Sequence, residues 1–138
     1  MTPSTEWRAL AVSFAVVAAL AGGAVAAWAI REATDETTTR LELATRCFEV
    51  EKGFAVEPAA RDPLAASAGD GALRTTIEGN GVTVLLAATP GEALRLESGY
   101  RALGADLAGR LERRDRVVWL WQNVSSPTQR QHAYDCQY

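Results

Sequence analysis

The scarce reactive side chains in this sequence are one histidine, His132, and two cysteines, Cys47 and Cys136. A His/Cys zinc site needs three or four such ligands, and a thiol redox centre needs a Cys-x-x-Cys pair, so these numbers exclude both. A nucleophile triad would have to join His132 to Asp135 and a distant serine, and no Gly-x-Ser-x-Gly elbow accompanies them. His132 is therefore expected to pack or face solvent. The carboxylate pairs Glu49/Glu51 and Glu92/Glu97 lack the helical spacing of an acid/base pair and are expected on solvated helix faces. No catalytic, cofactor-binding or metal-binding residue is assigned.

The two cysteines carry a different expectation. Cys47 falls late in a first helix and Cys136 close to the end, so a Cys47–Cys136 disulfide would staple the last segment onto that helix. Such a bond belongs outside the reducing cytoplasm. Two buried thiols in a cytoplasmic domain are the alternative.

Glycine and charge signals exclude more than they assign. "GNG" at residues 79–81 is explained by a turn, and neither a Walker sequence nor a dinucleotide fingerprint occurs. Net charge is −3, and Glu6 cancels Arg8, so the part beyond residue 30 also carries −3. A nucleic-acid partner, which calls for a basic face, is not expected. Arg110, Arg113, Arg114 and Arg116 alternate with Glu112 and Asp115, the pattern of a solvated turn. Trp119 and Trp121 lie in the most apolar strand and are expected in the core. Asn123-Val124-Ser125 matches a glycosylation acceptor, a match common by chance.

These residues must be positioned by elements, and the first is the most decided. "WRALAVSFAVVAALAGGAVAAWAIRE" holds no charge between Arg8 and Arg31, an apolar run of about 22 residues where a bilayer needs ~20. After a short tail, 1–8, it is expected as a transmembrane helix over 9–30. Ala24-Val25-Ala26 and Ala27-Trp28-Ala29 also fit a signal-peptide cleavage pattern. The run continues past both cuts, and Trp7 and Trp28 suit the two interfaces, which favours an uncleaved anchor. A cytoplasmic amino terminus suits the short tail and the pairable cysteines, although the arginine count alone does not dictate it.

Beyond residue 30, Ala33, Thr37, Leu41, Ala44 and Phe48 recur at helical spacing toward Lys52. Thr37 to Thr39 leave open a linker with the helix starting near Thr39. Phe54–Glu57 is a candidate strand, and 58–71 a loop. "LRTTIEGNGVTVLL" alternates on both sides of a turn at Asn80-Gly81 or Gly79-Asn80, with Leu73, Thr75 and Ile77 sharing a face with Val82, Val84 and Leu86. Thr89, Pro90 and Glu92 make a helix start with a capping box, and the helix should run to about Gly104. "ADLAGRLERR" is either more helix or one arm of a hairpin returning through "RVVWLW". Ser126-Pro127 opens a last short helix.

The fold class expected is α+β: a single N-terminal transmembrane helix followed by a small two-layer domain over 31–138, with an antiparallel sheet and helices on one face. Scarce lysine beside abundant alanine and arginine suggests a high-GC bacterial source. The functional expectation is a membrane-anchored extracytoplasmic domain, a non-catalytic interaction module with an envelope protein partner. The competing expectation is a ligand-sensing or carrier domain, secreted if the amino-terminal segment is cleaved.

Overall fold

The computed structural model describes residues 38–59, 61–104 and 106–138. The tail 1–8 and the transmembrane helix expected over 9–30 lie outside these residues. Among the described residues, no helix is long and apolar enough to cross a membrane.

Helix α1, Arg40–Arg46, starts at a capping box: the Thr39 hydroxyl accepts from Glu42 N, and the Glu42 carboxylate accepts from Thr39 N at 2.8 Å. This is the later of the two starts that the threonines left open. The helix continues as a π-helical turn, Cys47–Glu51, closed by Lys52 N donating to Cys47 O at 3.0 Å. The wider turn leaves Cys47 and Phe48 buried side by side. Strand β1, Val56–Pro58, lies at a sheet edge, where a proline's missing N–H is tolerated.

Within 58–71, read from sequence as a loop, Pro63–Ala66 forms helix α2. Asp62 caps it, with Oδ1 accepting from Leu64 N at 3.0 Å and Ala65 N at 3.3 Å. Strands β2, Ala72–Ile77, and β3, Asn80–Leu86, form the expected hairpin, but both expected turn positions are corrected. The turn is Glu78-Gly79, at φ 49° and 80°, with Ile77 opposite Asn80. Asn80 cannot serve as a turn residue because it is buried and bonded. Its Nδ2 donates to Asn123 O at 3.1 Å and Gln129 Oε1 at 3.2 Å, and its Oδ1 accepts from Asn123 N at 3.0 Å. The register moves by four residues from the Asn80-Gly81 turn and by two from the Gly79-Asn80 turn, even numbers in both cases, so the expected faces survive: Leu73 opposes Val84 and Thr75 opposes Val82.

Helix α3, Pro90–Ala102, is capped by Thr89, whose hydroxyl accepts from Glu92 N at 3.1 Å. The capping box is only half made. The Glu92 carboxylate instead accepts from Gly69 N at 2.8 Å and Ala88 N at 2.5 Å, tying the α2–β2 connection to the helix start. Strands β4, Leu111–Arg114, and β5, Val117–Trp121, decide the open choice for the preceding stretch in favour of a hairpin. Helix α4, Pro127–Asp135, starts at a capping box between Ser126 and Gln129.

The sheet is antiparallel throughout, in the order β1-β2-β3-β5-β4, so β3 is central and β5 lies beside it. Helices on one face only is the expectation that fails. One face buries Leu73, Ile77, Val82, Val84, Val117, Trp119 and Trp121 with Ala44, Cys47 and Phe48 of α1 and its π turn and with Ala133 and Cys136 at α4. The other face packs Leu85 and Val118 against Ala65 of α2 and Ala93, Leu96 and Tyr100 of α3. The domain therefore has three layers. The physical reason is visible in β3, which is buried at all seven positions and needs cover on both sides.

Candidate functional site

The residues that looked most reactive in the sequence do not converge. His132 and Asp135 share α4, where the His132 ring meets Phe54 edge-on at 5.5 Å and its Nε2 stands 3.8 Å from Glu78 Oε1. Asp135 pairs with Lys52 at 2.6 Å and accepts from Gln131 at 2.8 Å, and these hydrogen bonds hold its carboxyl below the ordinary range. Glu49 and Glu51 are exposed. Glu92 serves the two backbone N–H groups already described, and Glu97 pairs with Arg113 and Arg101. Among the described residues, no group of three His, Cys, Asp or Glu is placed to hold a metal ion.

Cys47 and Cys136 are joined as a disulfide, with Cα atoms 5.5 Å apart. Both are buried in the layer over the tryptophan-bearing face. Trp119 and Trp121 are core residues, fully buried. Tyr134 lies over that face from α4, edge-on to Trp119, and hydrogen-bonds Glu112 while Arg114 stacks on its ring at 4.2 Å. Burial, together with that carboxylate, pushes the Tyr134 phenol up to about 12.

The arginine cluster expected as one solvated turn divides. Arg113 is drawn to Glu97 of α3, Arg114 to Tyr134 on the opposite face, and Arg116 lies 3.8 Å from Asp115. Arg110 goes elsewhere: its Nε donates to Trp121 O at 3.0 Å, and its guanidinium lines a cleft.

That cleft lies on the half of the sheet that α2 and α3 leave open. Strand pairing sets Glu57, Arg74, Thr83 and Leu120 in one crosswise row, each opposite the next on its neighbouring strand. The next row carries Thr76, Gly81 and Gln122, with Gln122 N donating to Gly81 O at 2.8 Å. Two cavities adjoin across this floor. One, of about 380 Å³, runs over Arg74 and Thr83 to Pro58, Arg61 and Asp62; the other, of about 180 Å³, runs over the same two residues to Arg110, Leu120 and Gln122.

Thr83 is the shared floor, 9% exposed, and its side chain lines both cavities. Gly81 lets the flanking side chains lie down on the strand: a Cβ there would come within 2.8 Å of Gln122 Oε1 and 3.5 Å of Arg74 Nη2. Asp62 is committed elsewhere, since one oxygen caps α2 and the other accepts from Tyr100 OH at 2.5 Å. Burial, with Asp62 beside it, pushes the Tyr100 phenol far above its ordinary value, so it stays a donor. Glu57 reaches Arg74 only at 3.8 Å and is largely exposed. The cleft thus gathers three guanidinium groups, from Arg61, Arg74 and Arg110, on a domain whose net charge is negative.

Sequence reading missed this cleft. Its only local signals are a polar second face in the hairpin, Arg74 with Thr83, and a glycine inside a strand at Gly81. Compared with protein-family models, curated proteins and solved structures, the chain finds no match in any of the three.

Proposed function

We propose that this chain is a membrane-tethered extracytoplasmic binding domain of the bacterial envelope, acting without catalysis through the open half of its sheet. The observation that carries this reading is the cleft over Arg74 and Thr83, a concave polar surface on a sheet whose other faces are packed. The disulfide supports an oxidising compartment. The apolar run over 9–30 supports tethering, which raises the effective concentration of a weak binder near other membrane proteins. A second reading, a ligand-sensing or carrier domain, is favoured by the cavity of about 380 Å³, within the range of small-molecule pockets.

The test has two parts. Intact mass of the chain from isolated membranes is expected to include residues 1–30; a mature amino terminus at Ala27 or Ile30 would make the domain a secreted one. A photocrosslinker at Gln122 is expected to trap a partner that the same group at Glu49, exposed on the opposite helical layer, does not. Equal trapping from both positions would count against the cleft as the recognition face.

A further inference from the structure

We infer that the cleft is an oxyanion site: it takes a phosphate or carboxylate group between Arg74 and Arg110, over the Thr83 hydroxyl. The inference rests on the reading of this cleft as the recognition face and names the chemistry it recognises.

Charge is the first argument. Arg61, Arg74 and Arg110 come from three separate parts of the chain, yet tertiary structure brings them to two adjoining cavities that share a floor. Of the opposing carboxylates, Asp62 is held by α2 and Tyr100, while Glu57 lines the larger cavity and meets Arg74 only at 3.8 Å from a largely exposed position, a weak pair that a bound oxyanion displaces. Among the described residues, Arg110 spends only Nε, on Trp121 O, which fixes the plane of its guanidinium and leaves both terminal nitrogens as donors. Two forks of this kind match the planar or tetrahedral oxygens of a carboxylate or phosphate.

The floor is the second argument, independent of charge. Thr83 is a largely buried residue whose side chain lines both cavities, at the point where they meet. Its hydroxyl is not sealed from solvent, so an oxyanion can reach it and accept its hydrogen bond. Gln122 adds an amide donor beside it, and Leu120 with Pro58 provides apolar surface for the remainder of the ligand. A few convergent polar groups beside apolar surface make the combination of a small-ligand site.

The experiment is calorimetric titration of the full chain in neutral detergent, at low ionic strength, with inorganic pyrophosphate, citrate and glycerol phosphate in separate arms. Saturable 1:1 binding is expected from at least one of them, weakening with added salt. Pyrophosphate alone would identify a free phosphate chain, glycerol phosphate a lipid-headgroup type of ligand, and citrate a carboxylate. Arg74→Gln and Arg110→Gln should each weaken binding about tenfold or more, the loss expected for one charge-assisted hydrogen bond, and Thr83→Val by less. Arg95→Gln, exposed on α3 away from the cleft, should leave it unchanged. Unchanged thermal unfolding of Arg74→Gln separates lost binding from lost folding.

No saturable heat from any of the three anions overturns the oxyanion assignment, as does equal weakening by Arg95→Gln. If the anions fail while crosslinks from Gln122 persist, the recognition face stands and only its chemistry is wrong. If the anions bind and the crosslinks fail, the oxyanion site stands and the partner-binding reading falls.

Discussion

Glu97 shows how charge is used away from the cleft. Burial works to raise its carboxyl, but hydrogen bonds from Arg113 at 2.5 Å and Arg101 at 3.1 Å outweigh that and hold it below 4.5. The fold therefore favours the ionised form. The stability this contributes is fully present above 4.5 and is lost as pH falls through the depressed folded value. Glu97→Gln is expected to cost about 1 kcal/mol at neutral pH, a modest figure because Arg101 is solvent-screened. Thermal unfolding of parent and variant at pH 7, 5 and 3 checks the sign, with the two curves converging at the acid end. A gap that stays constant to pH 3 would mean that Glu97 acts through packing and not through its charge.

At the scale of elements, the β2–β3 hairpin is the informative case. Its turn residues, Glu78 and Gly79, both have positive φ, while Gly81 lies inside β3 with its neighbours' flexible side-chain ends nearby. Gly79→Ala should cost about 1 kcal/mol, because a Cβ is strained at this φ. Gly81→Ala should be nearly neutral, since Gln122 and Arg74 can move aside. Urea unfolding of the two variants ranks them. The reverse order would return the turn to Asn80-Gly81 and shift every strand partner in the hairpin by four positions.

For the whole molecule, the tie that matters most spans 89 residues. Cys47–Cys136 joins the π turn after α1 to the end of α4, and two further contacts hold the same junction: Lys52 with Asp135 at 2.6 Å, and Arg40 Nε donating to Tyr138 O at 2.6 Å. Arg40 also reaches Asp70 at 2.7 Å and Ala87 O at 2.6 Å, so the first helix, the last residues and the start of β2 meet on one guanidinium. A loop of this length corresponds to roughly 4–5 kcal/mol in chain-entropy terms, an upper figure. Urea unfolding of a Cys47→Ala/Cys136→Ala double variant should show about 2–5 kcal/mol less stability than the oxidised chain. A loss under ~1 kcal/mol would mean that the polar ties already close the domain, or that the unfolded chain keeps the junction.

Much of this was legible in the sequence because it is local. The caps at Thr89 and Ser126, the alternation of Leu73, Thr75 and Ile77, and the strand character of Val117–Trp121 depend on neighbours within about four residues. The pairing of two lone cysteines was legible by arithmetic. Other features depend on partners far along the chain. The turn moved to Glu78-Gly79 because Asn80 is claimed by Asn123 and Gln129. The second helical layer exists because Ala65 and Leu96 find Leu85 and Val118 on the face for which the sequence reading had placed no helices. The cleft is the extreme case: Arg61, Arg74, Thr83 and Arg110 become neighbours only once β3 has paired with both β2 and β5. By itself, the sequence determined which segments repeat every two or three to four residues and which side chains could bond across the fold. Tertiary structure alone decided which faces are covered, because strand order and register set what lies beside what.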